Sequence, residues 1–364
     1  MSDFSSKLSM EGKGIWRYAN FYRELIRPKN RLALADGSTE ELENGSINDM
    51  AGGRVFFKRE DMNETESLKG RSLAYQISLA KRDGLRELVI STSGNAGIAA
   101  AAYCRKAGIK LYIFMSSETD SEKIASMQKY DPIIIRSNRA MRLANYLSAK
   151  KKIRNLRPSR DDSSIEGFKS IAFEIYEHLG EVEAIFTFVT SGSSFVGIGS
   201  AYEYLLKSGE IKKLPKLFAV QSGGIFSIAR EFDKIDNTGP EDDKIAGKLG
   251  VKETRRKEEI IDLIKKSGGG SFYVAGSEME NACKTLGSCK IHTSPEGCAS
   301  FAALLRWSKA EKFKKAVCVL SGKARGNAAD IDESSVYTAE SFEEVDEVVN
   351  KNVNIKMENG SAKI

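Results

Sequence analysis

The sequence predicts an α/β fold in which open, mostly parallel sheets are flanked by helices. From residue 55 onward, short apolar segments of strand length alternate with segments of helical periodicity, which is the pattern of a parallel sheet covered on both faces. Loops rich in glycine and hydroxyl residues follow two of the predicted strands. A chain of 364 residues can hold two domains of ordinary size. We therefore expect two lobes, each built on such a sheet.

The composition is that of an ordinary globular protein, with 41% apolar and 29% charged residues. The formal net charge of +6 comes from 56 basic and 50 acidic residues spread along the chain. No long basic stripe with interleaved aromatic residues is present, so we expect no nucleic-acid partner. The densest basic runs, 150–154 and 252–257, are interpreted as solvated edges of helices.

The sequence also predicts a cytoplasmic protein without a membrane partner. No segment approaches the roughly 18 continuous apolar residues of a membrane span, and the first residues lack the apolar core of a signal peptide. The five cysteines are odd in number, and several lie in apolar segments. This usage predicts reduced thiols.

The regular elements begin after a poorly periodic stretch of 50 residues. Strands are predicted over residues 55–60, 87–91, 110–115, 132–136, 184–189, 216–221, 271–274 and 316–320. Helices are predicted near 68–80, 97–108, 120–130, 138–151 and 166–179. The segment 350–364 contains Lys, Asn, Gly and Ser, and we expect it to be a flexible tail.

Lys69 is the first candidate for chemistry. It follows a short polar turn and begins an amphipathic helix, so its amine is expected to point back over the helix N-terminus. An amine held among amide donors and beside another cation, here Arg71, is shifted toward its neutral, nucleophilic form. The alternative is a solvated surface charge, as for most of the 56 basic residues.

Two loops that each follow a strand and open a helix are candidate anion sites. Free backbone N–H groups and the helix dipole favour anions at such positions. The first loop contains Thr92, Ser93, Gly94 and Asn95, which suit a carboxylate. The second loop contains Ser191, Gly192, Ser193 and Ser194, which suit a phosphate. Neither loop matches a dinucleotide or nucleotide-hydrolase motif, and the alternative for each is an ordinary turn that needs small residues.

Taken together, these features resemble the fold-type II pyridoxal-phosphate enzymes. Residues 58–71 resemble that family's K-x-E-x-x-N-x-T-x-S-x-K-x-R segment, whose last lysine, here Lys69, forms a Schiff base with pyridoxal 5′-phosphate. The resemblance implies that the 92–95 loop binds the substrate carboxylate and that Asn95 also contacts the cofactor. It further implies that the 190–197 loop holds the cofactor phosphate, and that the Ser321 hydroxyl faces the pyridine nitrogen.

Within that family the sequence is most similar to threonine synthases. The similar segments are G-I-W-R-Y at 14–18, E-G-F-K at 166–169, S-P-E-G-C-A at 294–299 and V-L-S-G at 319–322. The spacing of the 190–197 loop is instead closer to cysteine synthase. Residues that depart from the family pattern around the lysine are Glu64, Glu66, Leu68 and Gly70, and Ala96 lacks a hydroxyl often found there.

The resemblance implies a large lobe made of residues 1–84 and 166–340, a small mobile lobe of residues 85–165, and a cofactor in the cleft at the carboxyl ends of the strands. It implies a homodimer that acts on a small amino acid, possibly phosphorylated. The leading function is a lyase that converts O-phosphohomoserine to threonine and phosphate. The alternatives are β-replacement on an activated serine, of the cysteine or cysteate synthase kind, and deamination by an ammonia-lyase. A third is a cofactor-binding protein that has lost efficient catalysis.

Other polar groups are weaker candidates. Cys283, Cys289, His292 and Cys298 cluster in sequence, but they lack a paired C-x-x-C spacing, so no metal site is predicted. Glu66 is interpreted as an ion-pair partner, a ligand for a cationic substrate group or a solvated turn residue. Basic residues that could bind a substrate phosphate, or lie on the surface, are Arg154, Arg157, Arg160 and Lys169.

Overall fold

The computed structural model of the chain describes residues 3–158, 161–224, 226–232, 254–326 and 329–360, with only the backbone described for 353–360. The chain divides into two compact units. Unit 1 consists of Met1–Tyr75 and Asp162–Arg325, and unit 2 consists of Gln76–Asp161 and Gly326–Ile364. Each unit contains its own sheet, and the predicted α/β class is confirmed.

The strands lie close to their predicted positions. They are β1 (Glu41–Glu43), β2 (Arg54–Arg59), β3 (Glu87–Ser91), β4 (Lys110–Met115), β5 (Ile133–Arg136), β6 (Arg154–Asn155), β7 (Ala184–Phe188), β8 (Lys216–Gln221), β9 (Gly270–Tyr273), β10 (Lys315–Leu320) and β11 (Val336–Thr338). The sequence did not predict β1, β6 and β11, because two or three residues are too few to establish a period of two.

The α-helices of the described residues are α1 (Asp3–Lys7), α2 (Gly45–Ala51), α3 (Lys69–Arg82), α4 (Asn95–Ala107), α5 (Ser121–Gln128), α6 (Ala140–Lys151), α7 (Ser164–Leu179), α8 (Ser193–Lys207), α9 (Ala229–Phe232), α10 (Lys257–Ser267), α11 (Gly276–Ser288), α12 (Pro295–Ser308) and α13 (Phe342–Gly360). Short 3₁₀ helices cover Gly14–Phe21, Pro28–Asn30, Glu60–Met62 and Glu333–Ser335. No helix within these ranges is long and apolar enough to cross a membrane.

The sheet of unit 1 has the order β1-β2-β10-β7-β8-β9, and β1 alone runs antiparallel to its neighbour. Strand β10 lies between β2 and β7, so Val317 pairs with Phe56 on one side and with Ile185 on the other. Because parallel strands end at the same edge, the segments that follow β2, β10 and β7 emerge side by side. Those segments contain Lys69, Ser321 and the 190–194 loop, respectively.

The core of unit 1 lies between this sheet and helices α11 and α12. Phe57, Phe186 and Phe301 are fully buried in it, and the rings of Phe186 and Phe218 stack at 4.5 Å between centroids. Each large apolar side chain buried in this way stabilises the fold by about 1.5–3 kcal/mol. The core therefore provides a rigid base for the loops at the carboxyl edge.

The sheet of unit 2 is wholly parallel, with the order β11-β5-β4-β3-β6. The structure groups residues 326–340 with this unit, whereas the sequence assigned them to the large lobe. The reason is that β11 pairs with β5 and that Ala339 and Val345 complete the core of unit 2. Helix α13 covers residues 350–360 of the predicted flexible tail, and residues 361–364 lie outside the described residues.

Candidate active site

The turn that precedes Lys69 is fixed by backbone hydrogen bonds to the turn that follows β10. The N–H of Leu68 donates to the carbonyl oxygen of Ser321 at 3.0 Å, and Ser67 forms an isolated antiparallel bridge with Gly322. The N–H of Lys323 donates to the carbonyl oxygen of Glu66 at 2.9 Å. These backbone contacts hold the turn before Lys69 next to the turn that contains Ser321.

Position 70 requires glycine because two polar side chains lie against its Cα. A Cβ atom at this position would lie 2.2 Å from both Asp36 Oδ1 and Thr65 Oγ1. Those two atoms hydrogen-bond each other at 2.8 Å, and both residues are buried. The turn thus excludes a side chain at Gly70 because the Asp36 carboxylate, which comes from a distant part of the chain, occupies that space.

Lys69 is half-buried. Burial lowers the pKa of the Lys69 amine below its ordinary value of 10.5, and the charge of Glu296 opposes that shift only in part. The amine lies 5.5 Å from the centroid of the Phe168 ring. The neutral form, which is the nucleophile, is therefore more populated than in an exposed lysine.

Arg71 does not have the role that the sequence suggested. Its guanidinium points into a buried charge cluster, where Nε donates to Glu60 Oε2 at 2.6 Å and Nη2 donates to Glu174 Oε2 at 2.7 Å. Lys58 Nζ lies 2.8 Å from Glu174 Oε2 in the same cluster. The lowered pKa of Lys69 therefore results from burial rather than from the neighbouring cation.

Two glycines let three helices approach each other beside the lysine. A Cβ on Gly167 of α7 would lie 2.0 Å from the carbonyl oxygen of Arg71 in α3. A Cβ on Gly197 of α8 would lie 2.6 Å from Cβ of Phe168. The E-G-F-K segment therefore packs α7 against the start of α3 and places Phe168 under the Lys69 amine.

The second predicted loop opens α8 as expected. Gly192 has a φ of 86°, in the left-handed region that favours glycine, and the N–H of Val196 donates to its carbonyl oxygen at 2.9 Å. Ser193 and Ser194 are buried, and Ser191 is half-buried. The first N–H groups of α8 have no acceptor within the helix, so the loop can bind an anion.

Helix α12 begins against the Ser321 turn. The N–H of Ser294 and the hydroxyl of Thr293 both donate to the carbonyl oxygen of Gly322, at 2.7 and 2.9 Å. Ser294 caps the helix by accepting from the N–H of Gly297 at 3.4 Å. This attachment brings Glu296, in the first turn of α12, toward the lysine turn.

The first predicted loop lies in unit 2, between β3 and α4. The N–H of Gly94 donates to Thr92 Oγ1 at 3.2 Å, and the N–H of Ser116 donates to Ser93 Oγ at 3.2 Å. Asn95 Oδ1 is buried and has no hydrogen-bond partner within the described part of the chain. A buried polar atom without a partner is unfavourable unless a ligand or water satisfies it.

The weaker candidates have protein partners. Glu66 forms ion pairs with Lys323, at 2.7 Å, and with Arg325. Lys169 pairs with Glu166 and Arg154 with Asp161, each at 2.7 Å. Arg160 lies outside the described residues.

The prediction that all cysteines are reduced is wrong for one pair. Cys283 of α11 and Cys298 of α12 form a disulfide, because the packing of the two helices brings residues 15 positions apart to a Cα separation of 5.2 Å. Within the described ranges, no three His, Cys, Asp or Glu residues are grouped as metal ligands.

Sequence reasoning missed three polar groups near these segments. Asp36 and Glu296 have no local pattern that distinguishes them from other acidic residues. The sequence predicts a solvated helix edge for the basic run 252–257, but Arg256 is buried against the loop that opens α8. A charged residue among many others gives no signal in a single sequence when its partners lie far away in the chain.

Comparisons with known proteins show the family to which the chain is related. A sequence model of the family described as "Pyridoxal-phosphate dependent enzyme" matches residues 33–322. Threonine synthase of Halalkalibacterium halodurans is 26% identical over 303 residues, which cover 80% of this chain and 83% of that protein. Threonine synthase of Methanocaldococcus jannaschii is 25% identical over 334 residues, which cover 87% of this chain and 81% of that protein.

Solved structures share the fold at lower identity. A pyridoxal 5′-phosphate-dependent aspartate racemase matches with a TM-score of 0.68 and 20% identity, over 81% of this chain and 91% of that one. Serine racemase from Dictyostelium discoideum matches with a TM-score of 0.66 and 22% identity, over 79% and 93%. Threonine deaminase isoform 2 from Solanum lycopersicum, in its processed form, matches with a TM-score of 0.64 and 20% identity, over 82% and 85%. At these identities the matches establish a common fold and leave the reaction open.

Proposed function

Because the chain belongs to the pyridoxal-phosphate dependent enzyme family, we propose that it catalyses elimination and replacement on an amino acid, in the manner of a threonine synthase. The substrate of such a reaction is O-phosphohomoserine, and the products are threonine and phosphate. The observation that carries this proposal is the position of Lys69, whose amine has a lowered pKa and whose turn is fixed to Ser321. The threonine synthases among the relatives support the choice of substrate.

The residues present fit the cofactor. The partly neutral amine of Lys69 suits covalent attachment to an aldehyde. The loop at the start of α8 offers N–H groups and the Ser191, Ser193 and Ser194 hydroxyls for the phosphate. Within the described residues Asn95 Oδ1 is a buried acceptor without a partner, and a donor group of a bound ligand would satisfy it, while the Asn95 amide nitrogen can donate to an oxygen of the ligand.

The proposed roles of the chain's own residues follow from these positions. When bound, the cofactor supplies an aldehyde for the amine and a ring that accepts electrons from the substrate Cα. Lys69 removes and returns protons at the substrate carbons, and burial keeps a fraction of its amine neutral for that purpose. Ser321 would hold the ring nitrogen with a neutral hydroxyl, and Thr92, Ser93, Gly94 and Asn95 would bind the substrate carboxylate.

Phosphate release tests the leading function. Purified protein with pyridoxal 5′-phosphate should release inorganic phosphate from O-phosphohomoserine and form threonine in equal amount. Lys69→Ala should lower the rate by about 10³-fold or more, because it removes the proton-transferring group. An absence of phosphate release by the wild-type protein would reject this substrate.

One observation favours a second candidate, β-replacement on an activated serine. The Glu296 carboxylate acts on the Lys69 amine, and negative charge there opposes a doubly charged phosphate ester more than an uncharged leaving group. O-acetylserine with sulfide should then give cysteine and acetate faster than O-phosphohomoserine gives phosphate. Formation of a 2-oxo acid and ammonia from serine or threonine would instead identify a deaminating lyase. Turnover of none of these substrates would favour a cofactor-binding protein without efficient catalysis.

We also expect a homodimer, on the basis of the family resemblance. Light scattering of the purified protein should give twice the 40.1 kDa of one chain. A mass equal to that of one chain would contradict this expectation.

A further inference from the structure

Arg256 lies against the loop that opens α8, although it is distant from that loop in sequence. Its Nε lies 3.4 Å from Ser193 Oγ, to which it donates, and only 7% of the residue is exposed. Thr254 Oγ1 donates to the carbonyl oxygen of Thr190 at 3.0 Å. Hydrogen bonds therefore connect the segment 254–260 to the loop at Thr190 and at Ser193.

Gly192 shows how closely this segment packs. A Cβ at Gly192 would lie 2.6 Å from Ile260 Cδ1 and 3.2 Å from Cβ of Arg256. Gly192 is also the residue whose left-handed backbone turns the chain into α8. The absence of a side chain at Gly192 thus allows both the turn and the approach of Arg256.

Arg256 adds a buried positive charge beside the N-terminus of α8, which favours an anion there. The N-terminus of a helix carries a partial positive charge, and a buried guanidinium beside it adds a second positive charge at low solvent exposure. Arg256 pairs with Asp162 at 2.6 Å and with Glu259 at 3.0 Å. Those carboxylates belong to side chains that are 81% and 49% exposed, so water screens part of their neutralising effect on Arg256.

We propose that Arg256 binds the phosphate group of the cofactor together with the N–H groups of the 191–195 segment. This inference rests on the proposed assignment of the α8 loop to the cofactor phosphate. The guanidinium supplies a full charge, whereas the loop supplies only backbone and hydroxyl dipoles. Arg256 also orients the Ser193 hydroxyl through its Nε.

The test compares ligands with and without the phosphate group. The affinity of cofactor-free protein for pyridoxal 5′-phosphate, for pyridoxal and for inorganic phosphate is measured by absorbance titration and calorimetry. Arg256→Gln should weaken binding of pyridoxal 5′-phosphate and of inorganic phosphate by about 10- to 100-fold. Pyridoxal, which has no phosphate, should bind both proteins within about twofold.

Glu259→Gln is the matched variant, because it removes a partner of Arg256 and leaves the guanidinium in place. It should tighten binding of pyridoxal 5′-phosphate by about two- to fivefold, since less of the positive charge is neutralised. Arg256→Lys keeps a positive charge and should retain more affinity than Arg256→Gln. If Arg256→Gln fails to fold, these two variants decide the question.

The outcomes separate this inference from the proposed function. Equal loss of pyridoxal and pyridoxal 5′-phosphate affinity in Arg256→Gln would mean a structural role and would overturn the inference. Unchanged affinity of Arg256→Gln or of Glu259→Gln for the phosphorylated ligand would also overturn it, with the proposed function intact. Failure of the wild-type protein to bind pyridoxal 5′-phosphate would overturn both.

Discussion

The N–H of Leu68 donates a 3.0 Å hydrogen bond to the carbonyl oxygen of Ser321, so the residue before Lys69 is fixed to the turn that ends β10. The bridge between Ser67 and Gly322 extends this contact by one residue. Because backbone atoms make both contacts, substitutions of the Lys69 and Ser321 side chains leave them intact. Effects of such variants can therefore be attributed to the side chains themselves.

Substitutions of Glu66 test whether the backbone of the turn before Lys69 is strained. The Glu66 φ of 59° is unfavourable for a residue with a Cβ, while its ion pairs with Lys323 and Arg325 are only partly buried and contribute little. Glu66→Gly and Glu66→Ala both remove the carboxylate, but only glycine relieves the backbone. Chemical denaturation should show Glu66→Gly to be more stable than Glu66→Ala by about 1 kcal/mol. Equal stability of the two variants would argue against strain at this position.

Arg71 tests the buried charge cluster. Arg71→Met removes the cation that pairs with the buried carboxylates of Glu60 and Glu174. The unfolding free energy of this variant should be about 3–5 kcal/mol lower than that of the wild type. Arg54 is a suitable control, because its ion pair with Glu43 is on the surface and its side chain is 58% exposed. Arg54→Met should lower the unfolding free energy far less than Arg71→Met does, because water screens an exposed ion pair. Similar losses in both variants would contradict the structural role of the cluster.

The same cluster predicts a pH dependence. Burial alone would raise the pKa of Glu174, but the charges of Arg71 and Lys58 outweigh burial and lower it to about 2. A carboxylate with a lowered pKa stabilises the folded state above its unfolded pKa, near 4.5, and this contribution disappears as the pH falls toward 2. The loss caused by Arg71→Met should therefore be largest above pH 4.5 and shrink below it, as measured by urea unfolding at each pH. A loss that is constant with pH would contradict this assignment.

Substitution of Glu296 tests how its charge affects the pKa of Lys69. Burial lowers the pKa of Lys69, and Glu296 partly opposes this, so Glu296→Gln should lower the pKa further. In cofactor-free protein, the pH midpoint for acylation of Lys69, followed by peptide mass spectrometry, should move to lower pH. Glu280→Gln, an exposed acidic position on α11, is the control and should leave the midpoint unchanged. A midpoint that rises in Glu296→Gln would show that the two groups do not interact as described.

The disulfide is tested by counting thiols. Five cysteines with one bridged pair leave three thiols in unfolded, unreduced protein and five after reduction. Cys283→Ser should lower the stability of the oxidised protein by about 3 kcal/mol, because the bridge closes a loop of this size. Cys289→Ser leaves the bridge intact and serves as the control. Five reactive thiols without reductant would contradict the pairing.

Much of the framework could be predicted from local patterns. The strands of both sheets are apolar runs bounded by turn residues, so Lys110–Met115 and Lys216–Gln221 were predicted to the residue. The carboxyl-edge loops follow from the same pattern, because parallel strands determine where the next segment emerges.

The rest depends on contacts between distant parts of the chain. Nothing near Gly70 in sequence indicates that Asp36 fills the adjacent space, and nothing near Arg256 indicates Ser193. Strand β11 is three residues long and exists because β5 offers it an edge. These features are set by tertiary packing, which residue spacing does not contain.

The most direct test of the central claim is the visible spectrum of the purified protein with pyridoxal 5′-phosphate, for the wild type and for Lys69→Ala. The wild-type protein should be yellow, and borohydride should fix the cofactor to the peptide that contains Lys69. Lys81→Ala, on the same helix, should behave as the wild type, whereas Lys69→Ala should lose both the bound colour and the fixed label. A colourless wild type, or a label on another lysine, would contradict the assignment of Lys69 as the cofactor-binding residue.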